Sequence, residues 1–137
     1  MSTLVKRQRM IDSEPMDSFE LTNETRETCV CSFVEVAGDL WHRMKGLLGR
    51  DGLPEGHGLL ILSCNSIHTF FMRFPIDVVF LDGKGSVVRI RKDLKPFRCC
   101  SGGIRARMVL EMAAGEIDES VTRVGDRLRM DTRPPKG

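Results

Sequence analysis

IHTFFMRFPIDVVFLDGKGSVVRIR, residues 67–91, carries a β-hairpin in its second half. Asp82-Gly83-Lys84-Gly85 is a turn sequence, because glycine supplies the positive φ angles that tight hairpin connections demand. Before it, Ile76-Asp77-Val78-Val79-Phe80-Leu81 is a nearly unbroken apolar run of strand length. After it, Val87, Arg89 and Arg91 alternate with Val88 and Ile90, the period of a strand with two different faces. The first half, residues 67–74, also reads as a strand. His68, Phe70, Met72 and Phe74 share one of its faces, and Ile67, Thr69, Phe71 and Arg73 the other. Pro75 lacks the N–H that a ladder needs, so it marks a break or edge between the two strands.

Further strands flank this segment. Residues 19–21 and 28–36 have extended patterns around an Asn23-Glu24-Thr25 turn, which predicts an opening hairpin. Gly58-Leu59-Leu60-Ile61-Leu62 reads as a short buried strand, and residues 107–112 and 127–130 resume the β pattern. Only over residues 39–49 does the period lengthen. Leu40, Trp41, Met44, Leu47 and Leu48 fall on one helical face, with Asp39 as N-cap and Gly49 as the stop. Closely spaced strands with one helix inserted early predict a mainly β fold, a compact β-barrel or sandwich-like domain with one short amphipathic helix near residues 39–49. Residues 94–103, with Pro96 and Gly102-Gly103, read as a long loop of the kind that often carries function.

At 137 residues the chain has room for one core, and 41% apolar residues suit a globular domain. Residues 1–17 lack either period and read as a flexible N-terminal arm. Residues 18–131 form the single β-rich domain, and 132–137 a C-terminal tail. No run reaches the roughly 20 apolar residues of a spanning helix. The basic start Lys6-Arg7-Gln8-Arg9 has no apolar segment after it, so a cytoplasmic location is expected. Five cysteines without a CxxC pair fit reduced thiols better than a disulfide framework. The net charge is +2, yet between Lys84 and Arg107 eight basic residues face one acid, Asp93. Such a run is either an electropositive face or ordinary solvated surface.

The runs Met44-Lys45-Gly46-Leu47-Leu48-Gly49-Arg50 and Thr69-Phe70-Phe71-Met72-Arg73, then 75–82, Val109-Leu110-Glu111 with Gly115, and Gly125-Asp126 together resemble the family called domain of unknown function 192, DUF192. The similarity covers about residues 19–130, with Phe70 where the family usually places a tryptophan. The resemblance implies a compact β-rich domain without an established activity. It also draws attention to Arg50, Arg73, Asp77, Glu111 and Asp126, and His68 joins them as a candidate binding residue. Each has a structural alternative. Asp126 after Gly125 suits a turn, and Arg50 the end of a helix. Asp77 lies among apolar neighbours, where an ionised carboxylate needs a partner such as Arg73 or Arg50, or a set of donors.

Metal binding would draw on Cys64, His68, His42, His57 and Cys99-Cys100. Residues four apart on a strand lie about 13 Å apart, and adjacent cysteines there point to opposite faces, so no metal site is assigned and no cofactor is implied. Cys64 or Ser66 with His68 lacks the setting of an activated nucleophile. A nucleic-acid partner is disfavoured by 6% aromatic residues and nineteen acids. The reading that remains is a non-catalytic binding module for a small anionic or sugar-like ligand or a protein partner, using the 94–103 loop. The alternative is a small hydrolase-type enzyme with Asp77 and Glu111 as acid and base.

Overall fold

A computed structural model describes residues 19–37, 52–70 and 72–132. Among the described residues nine strands and one short helix follow one another. They are β1 (Phe19–Asn23), β2 (Thr28–Ala37), β3 (His57–Leu62), β4 (Ser66–His68), β5 (Ile76–Leu81), β6 (Val87–Leu94), β7 (Cys99–Ser101), β8 (Met108–Ala113), α1 (Glu116–Glu119) and β9 (Leu128–Thr132). Seven strands form one sheet in the order β6-β5-β8-β3-β2-β1-β9, while β4 and β7 form a separate two-stranded ribbon. Only β2 and β3 pair in parallel; the other neighbours are antiparallel. The fold is mostly β, as its sequence patterns predict. Among the described residues no helix is long and apolar enough to cross a membrane.

The sheet curls into a half-barrel whose two edges meet at one end. A bridge joins Ser86 to Arg127, just ahead of the edge strands β6 and β9. Val87 N donates to Asp126 O at 2.8 Å, and Leu128 N to Gly85 O at 2.9 Å. Gly85 suits this seam twice over: its φ is +87°, and a Cβ there would lie 2.6 Å from Leu128 O. One face of the sheet buries Leu21, Val34, Leu60, Val79, Leu110 and Leu128 around Ile117 of α1. The opposite face buries Leu59, Ile61, Ile76, Val78, Phe80 and Val109. All six residues of β5 are buried, which explains its unbroken apolar sequence: it is covered on both faces.

The ribbon lies over that second face. Ile67 and Cys100, paired across it, join the core beneath. Gly102, which follows β7, rests on the Phe80 ring so closely that a Cβ would sit 2.4 Å from it. Its N–H donates to Asn65 O at 2.8 Å, tying the end of β7 to the start of β4.

Three local readings differ from the sequence expectation. Residues 67–74 are not one strand: β4 ends at His68, and Met72 N donates to Thr69 O across a turn. That turn sends Met72 and Phe74 into the core and leaves Phe70 outside. Burial of each large apolar side chain is worth about 1.5–3 kcal/mol, enough to outweigh continuation of a short ladder. The 94–103 loop contains β7, whose three residues are too few to announce themselves by period. Residues 116–119 form α1, a single turn between the last two strands. The helix expected over residues 39–49, together with Arg50, Phe71 and the arm at 1–17, lies outside the described residues.

Candidate ligand-binding face

The ribbon pairs Ser66 with Ser101, Ile67 with Cys100 and His68 with Cys99. Since side chains alternate along a strand, Ile67 and Cys100 point into the core while Ser66, His68, Cys99 and Ser101 share the outward face. A cleft of about 520 Å³ is lined by residues 66–68 and 99–101 of the ribbon, Ile67 and Cys100 included. The same face continues past the end of the ladder. The His68 and Phe70 rings stack with centroids 5.1 Å apart, and Phe97 lies 6.4 Å beyond Phe70. The ribbon therefore grades from two phenyl rings, through an imidazole opposite a thiol, to two hydroxyls.

Thr69 holds the aromatic end in place. Its side chain is fully buried, and its Oγ1 donates to Lys95 O at 2.6 Å and accepts from Arg98 N at 2.9 Å. Its backbone adds two bonds, N to Arg98 O at 2.8 Å and O from Phe97 N at 3.0 Å. Clasped in this way, Phe97 sits at φ +61° with the residue 58% exposed. A bulky residue in the left-handed region costs about 1–3 kcal/mol and persists where surrounding bonds over-determine it, as those around Thr69 do. At the hydroxyl end, Arg89 Nη1 donates to Ser101 O at 2.7 Å and places a guanidinium beside the cleft. Ser101 Oγ accepts from Gly103 N at 3.2 Å, which leaves its hydroxyl proton for another acceptor.

The candidate residues taken from the sequence do not assemble in one place. His68 lines the cleft, with its Nδ1 accepting from Phe70 N at 3.4 Å. Arg73 is exposed on the turn after the ribbon. Asp77 is 1% exposed, and its partners among the described residues are backbone donors rather than the guanidinium of Arg73: Asp93 N at 2.9 Å, Gly115 N at 3.0 Å and Ile117 N at 3.1 Å. Glu111 is fully buried on β8. Register sets Asp77 opposite Met112, and Glu111 opposite Val78. Met112 belongs to one core and Val78 to the other, so the two carboxylates leave opposite faces of the sheet and cannot flank one bond.

Asp126 is a hub as well. Its Oδ2 accepts from Asn23 Nδ2, Arg26 Nε and Arg123 N at 2.9–3.0 Å. Burial pushes its acidity down, but the bonds from Arg26, Asn23 and Arg123 outweigh that and hold the carboxyl below its ordinary pKa. A second cavity, about 230 Å³, is bordered by Glu55, Glu116 and Glu119. Burial raises the Glu116 pKa against the opposing bond from Gly56 N, and neighbouring acids raise it further. A negative cavity of this kind repels anions, unlike the ribbon face.

Thr69, Arg89 and Ser101 are not singled out as site residues by the sequence, which offers Cys99 only as a metal-ligand candidate and the 94–103 loop only as a whole. The strand pattern over 67–74 points to the start of the ribbon, but its partner 99–101 is hidden between Pro96 and Gly102.

Residues 21–130 match the family model DUF192, described as "Uncharacterized ACR, COG1430". Over 112 residues the chain is 29% identical to a UPF0127 protein of Thermococcus sibiricus, covering 79% of this chain and 72% of that one. A UPF0127 protein of Pyrococcus horikoshii is 39% identical over 67 residues, 49% of this chain and 57% of that one. A crystal structure from Sinorhizobium meliloti, described provisionally as a transcription regulator, superposes with a TM-score of 0.72 at 22% identity, covering 83% of this chain and 92% of that one. A protein of unknown function from Novosphingobium aromaticivorans superposes at 0.69 with 19% identity, covering 82% and 83%. At such identities the two structures speak for the fold alone.

Proposed function

Because the chain belongs to the DUF192 family, whose description assigns no activity, we propose from its own geometry that it is a non-catalytic binding module. The ribbon face takes a small anionic ligand. The observation that carries this reading is the cleft of about 520 Å³, beside which hydrogen bonds to buried Thr69 clasp the loop at 95–98 and hold Phe97 at φ +61°. Strain that surrounding bonds maintain is a mark of ligand clamps. A cleft of this volume suits a small molecule, and the guanidinium of Arg89 at its end favours negative charge. An acid/base role for Asp77 and Glu111 gains no support, since one is saturated by backbone donors and the sheet separates the two.

The test is a thermal-shift titration with pyrophosphate, citrate and neutral sugars. A ligand at 100 times its Kd adds about 2.7 kcal/mol of stability. Thr69→Val removes the hydroxyl's bonds to Lys95 O, Arg98 N and Arg98 O at nearly constant volume. It should cost about 1–3 kcal/mol of stability and abolish the anion-induced shift, while the sheet's circular dichroism stays unchanged. If no anion shifts the wild-type protein, or Thr69→Val binds as well as wild type, the reading fails.

A further inference from the structure

We infer that the loop between β7 and β8 docks on an anionic lipid surface, with Ile104 entering the bilayer interface and the basic side chains around it meeting the headgroup phosphates. Gly103 O accepts from Ala106 N at 3.3 Å, which closes a β-turn with Ile104 and Arg105 at its two central positions. Ile104 is 89% exposed, whereas Ala106, two residues on, is buried in the core. The turn is held from both sides: Arg107 N donates to Leu81 O at 2.7 Å, and Gly102 N to Asn65 O at 2.8 Å. A branched aliphatic side chain therefore stands at the tip of a loop anchored to the sheet and to the ribbon.

Charge of one sign surrounds that tip. No acid occurs between residues 94 and 110. Arg107 Nη1 donates to Ile104 O at 2.7 Å and to Ala106 O at 3.0 Å, and Arg89 Nη1 donates to Ser101 O at 2.7 Å, so two guanidinia lie against carbonyls at the two ends of the loop. Arg105 shares the turn with Ile104, and its field reaches Asp82 together with that of Lys84. All four cations are exposed, and among the described residues the ion pairs with acids use Arg26, Lys92, Lys95, Arg127 and Arg129 instead. Charge complementarity thus selects an anionic partner, and the lone aliphatic tip selects its kind. A protein partner needs about 800 Å² of matching surface per side, which a turn tipped by one isoleucine does not present. Nucleic-acid bases stack on aromatic rings, and residues 101–107 contain none. A bilayer asks for neither: one aliphatic group sinks to the level of the acyl chains while arginine stems reach back to the phosphates.

Cosedimentation of the full chain with phosphatidylcholine vesicles, with and without phosphatidylglycerol, tests this. Binding should require phosphatidylglycerol and weaken as salt is raised, since exposed charges are screened within about 10 Å at 0.1 M ionic strength. Arg105→Gln should weaken it about fivefold, the share of one cation near an anionic surface. Ile104→Ser should weaken it roughly tenfold or more by removing the apolar contact, and Ile104→Leu should bind as wild type does. Both positions are exposed, so circular dichroism should report an unchanged sheet in all three variants. Neither position lines the ribbon cleft, so the small-anion reading is tested apart from this one. No binding to phosphatidylglycerol vesicles, or binding indifferent to Ile104→Ser, overturns the inference. Tighter binding to a single-stranded oligonucleotide than to the vesicles, lost in Arg105→Gln, overturns it as well and assigns the arginines to nucleic acid.

Discussion

Asp77 illustrates how a single buried charge can be scaffold. Its two oxygens collect three backbone N–H groups from two places. One is the bulge in β6, where the β5–β6 register shifts between Ile76 and Val78. The other is the first turn of α1, where Gly115 N and Ile117 N have no carbonyl behind them. A carboxylate solves both problems at once, and no neutral side chain of that size accepts three such bonds equally well. Asp77→Ala should therefore cost about 3–5 kcal/mol in urea unfolding, because it strands several donors away from water. A loss under 1 kcal/mol would mean that the bulge and the turn find other acceptors. Thr69 acts similarly on the loop at 95–98, with the difference that what it secures is an exposed ring rather than a core.

Two connections carry the fold at the scale of elements. The ribbon of β4 and β7 has three rungs, and an isolated two-stranded hairpin of any kind is marginal in water. It persists because Ile67 and Cys100 anchor it and Gly102 lets it approach Phe80. Gly102→Ala places a methyl group 2.4 Å from that ring. The variant should lose about 1–3 kcal/mol by overpacking, and anion binding should weaken as the ribbon lifts. Calorimetric stability together with the anion titration checks both parts. The other connection is Asp126, which ties the β1–β2 turn to the approach of β9. Its native pKa lies below the ordinary 3.8, so its contribution is complete above that value and is lost as pH falls through the native one. Asp126→Asn should thus be less stable than wild type at neutral pH, with the gap narrowing as acid is added below about pH 4. Parallel curves in urea melts down to strongly acid pH would show that the carboxylate is not held in its charged form.

For the molecule as a whole, burial predicts the order in which parts open. Strands β5, β8 and β3 lie in the middle of the sheet with nearly all their residues covered. Strand β9 is an edge and mostly exposed, and the ribbon rests on the sheet without joining its ladder. Amide exchange should be slowest in β5 and β8 and fastest in β4, β7 and β9. Ribbon amides as protected as those of β5 would contradict this and make the whole chain one cooperative unit. A ligand clasped by the ribbon should selectively slow exchange there, because a low-stability element has most to gain from a partner.

The amino-acid sequence by itself determined the mainly β character, the hairpin around Asp82-Gly83-Lys84-Gly85, and the opening β1–β2 pair, since these follow from period-two alternation and turn chemistry within a few residues. It also singled out Asp77 as a carboxylate in need of a partner, either Arg73 or Arg50 or a set of donors, without deciding between them. Tertiary structure alone decided that those donors are Asp93, Gly115 and Ile117, and that Glu111 faces away from Asp77. It decided too that His68 meets Cys99 across a ribbon of three rungs. The physical reason is separation along the chain. Local periodicity records which face a side chain takes, whereas a partner 16 to 40 residues away, as Asp93 and Ile117 are from Asp77, is chosen by the packing of the folded sheet.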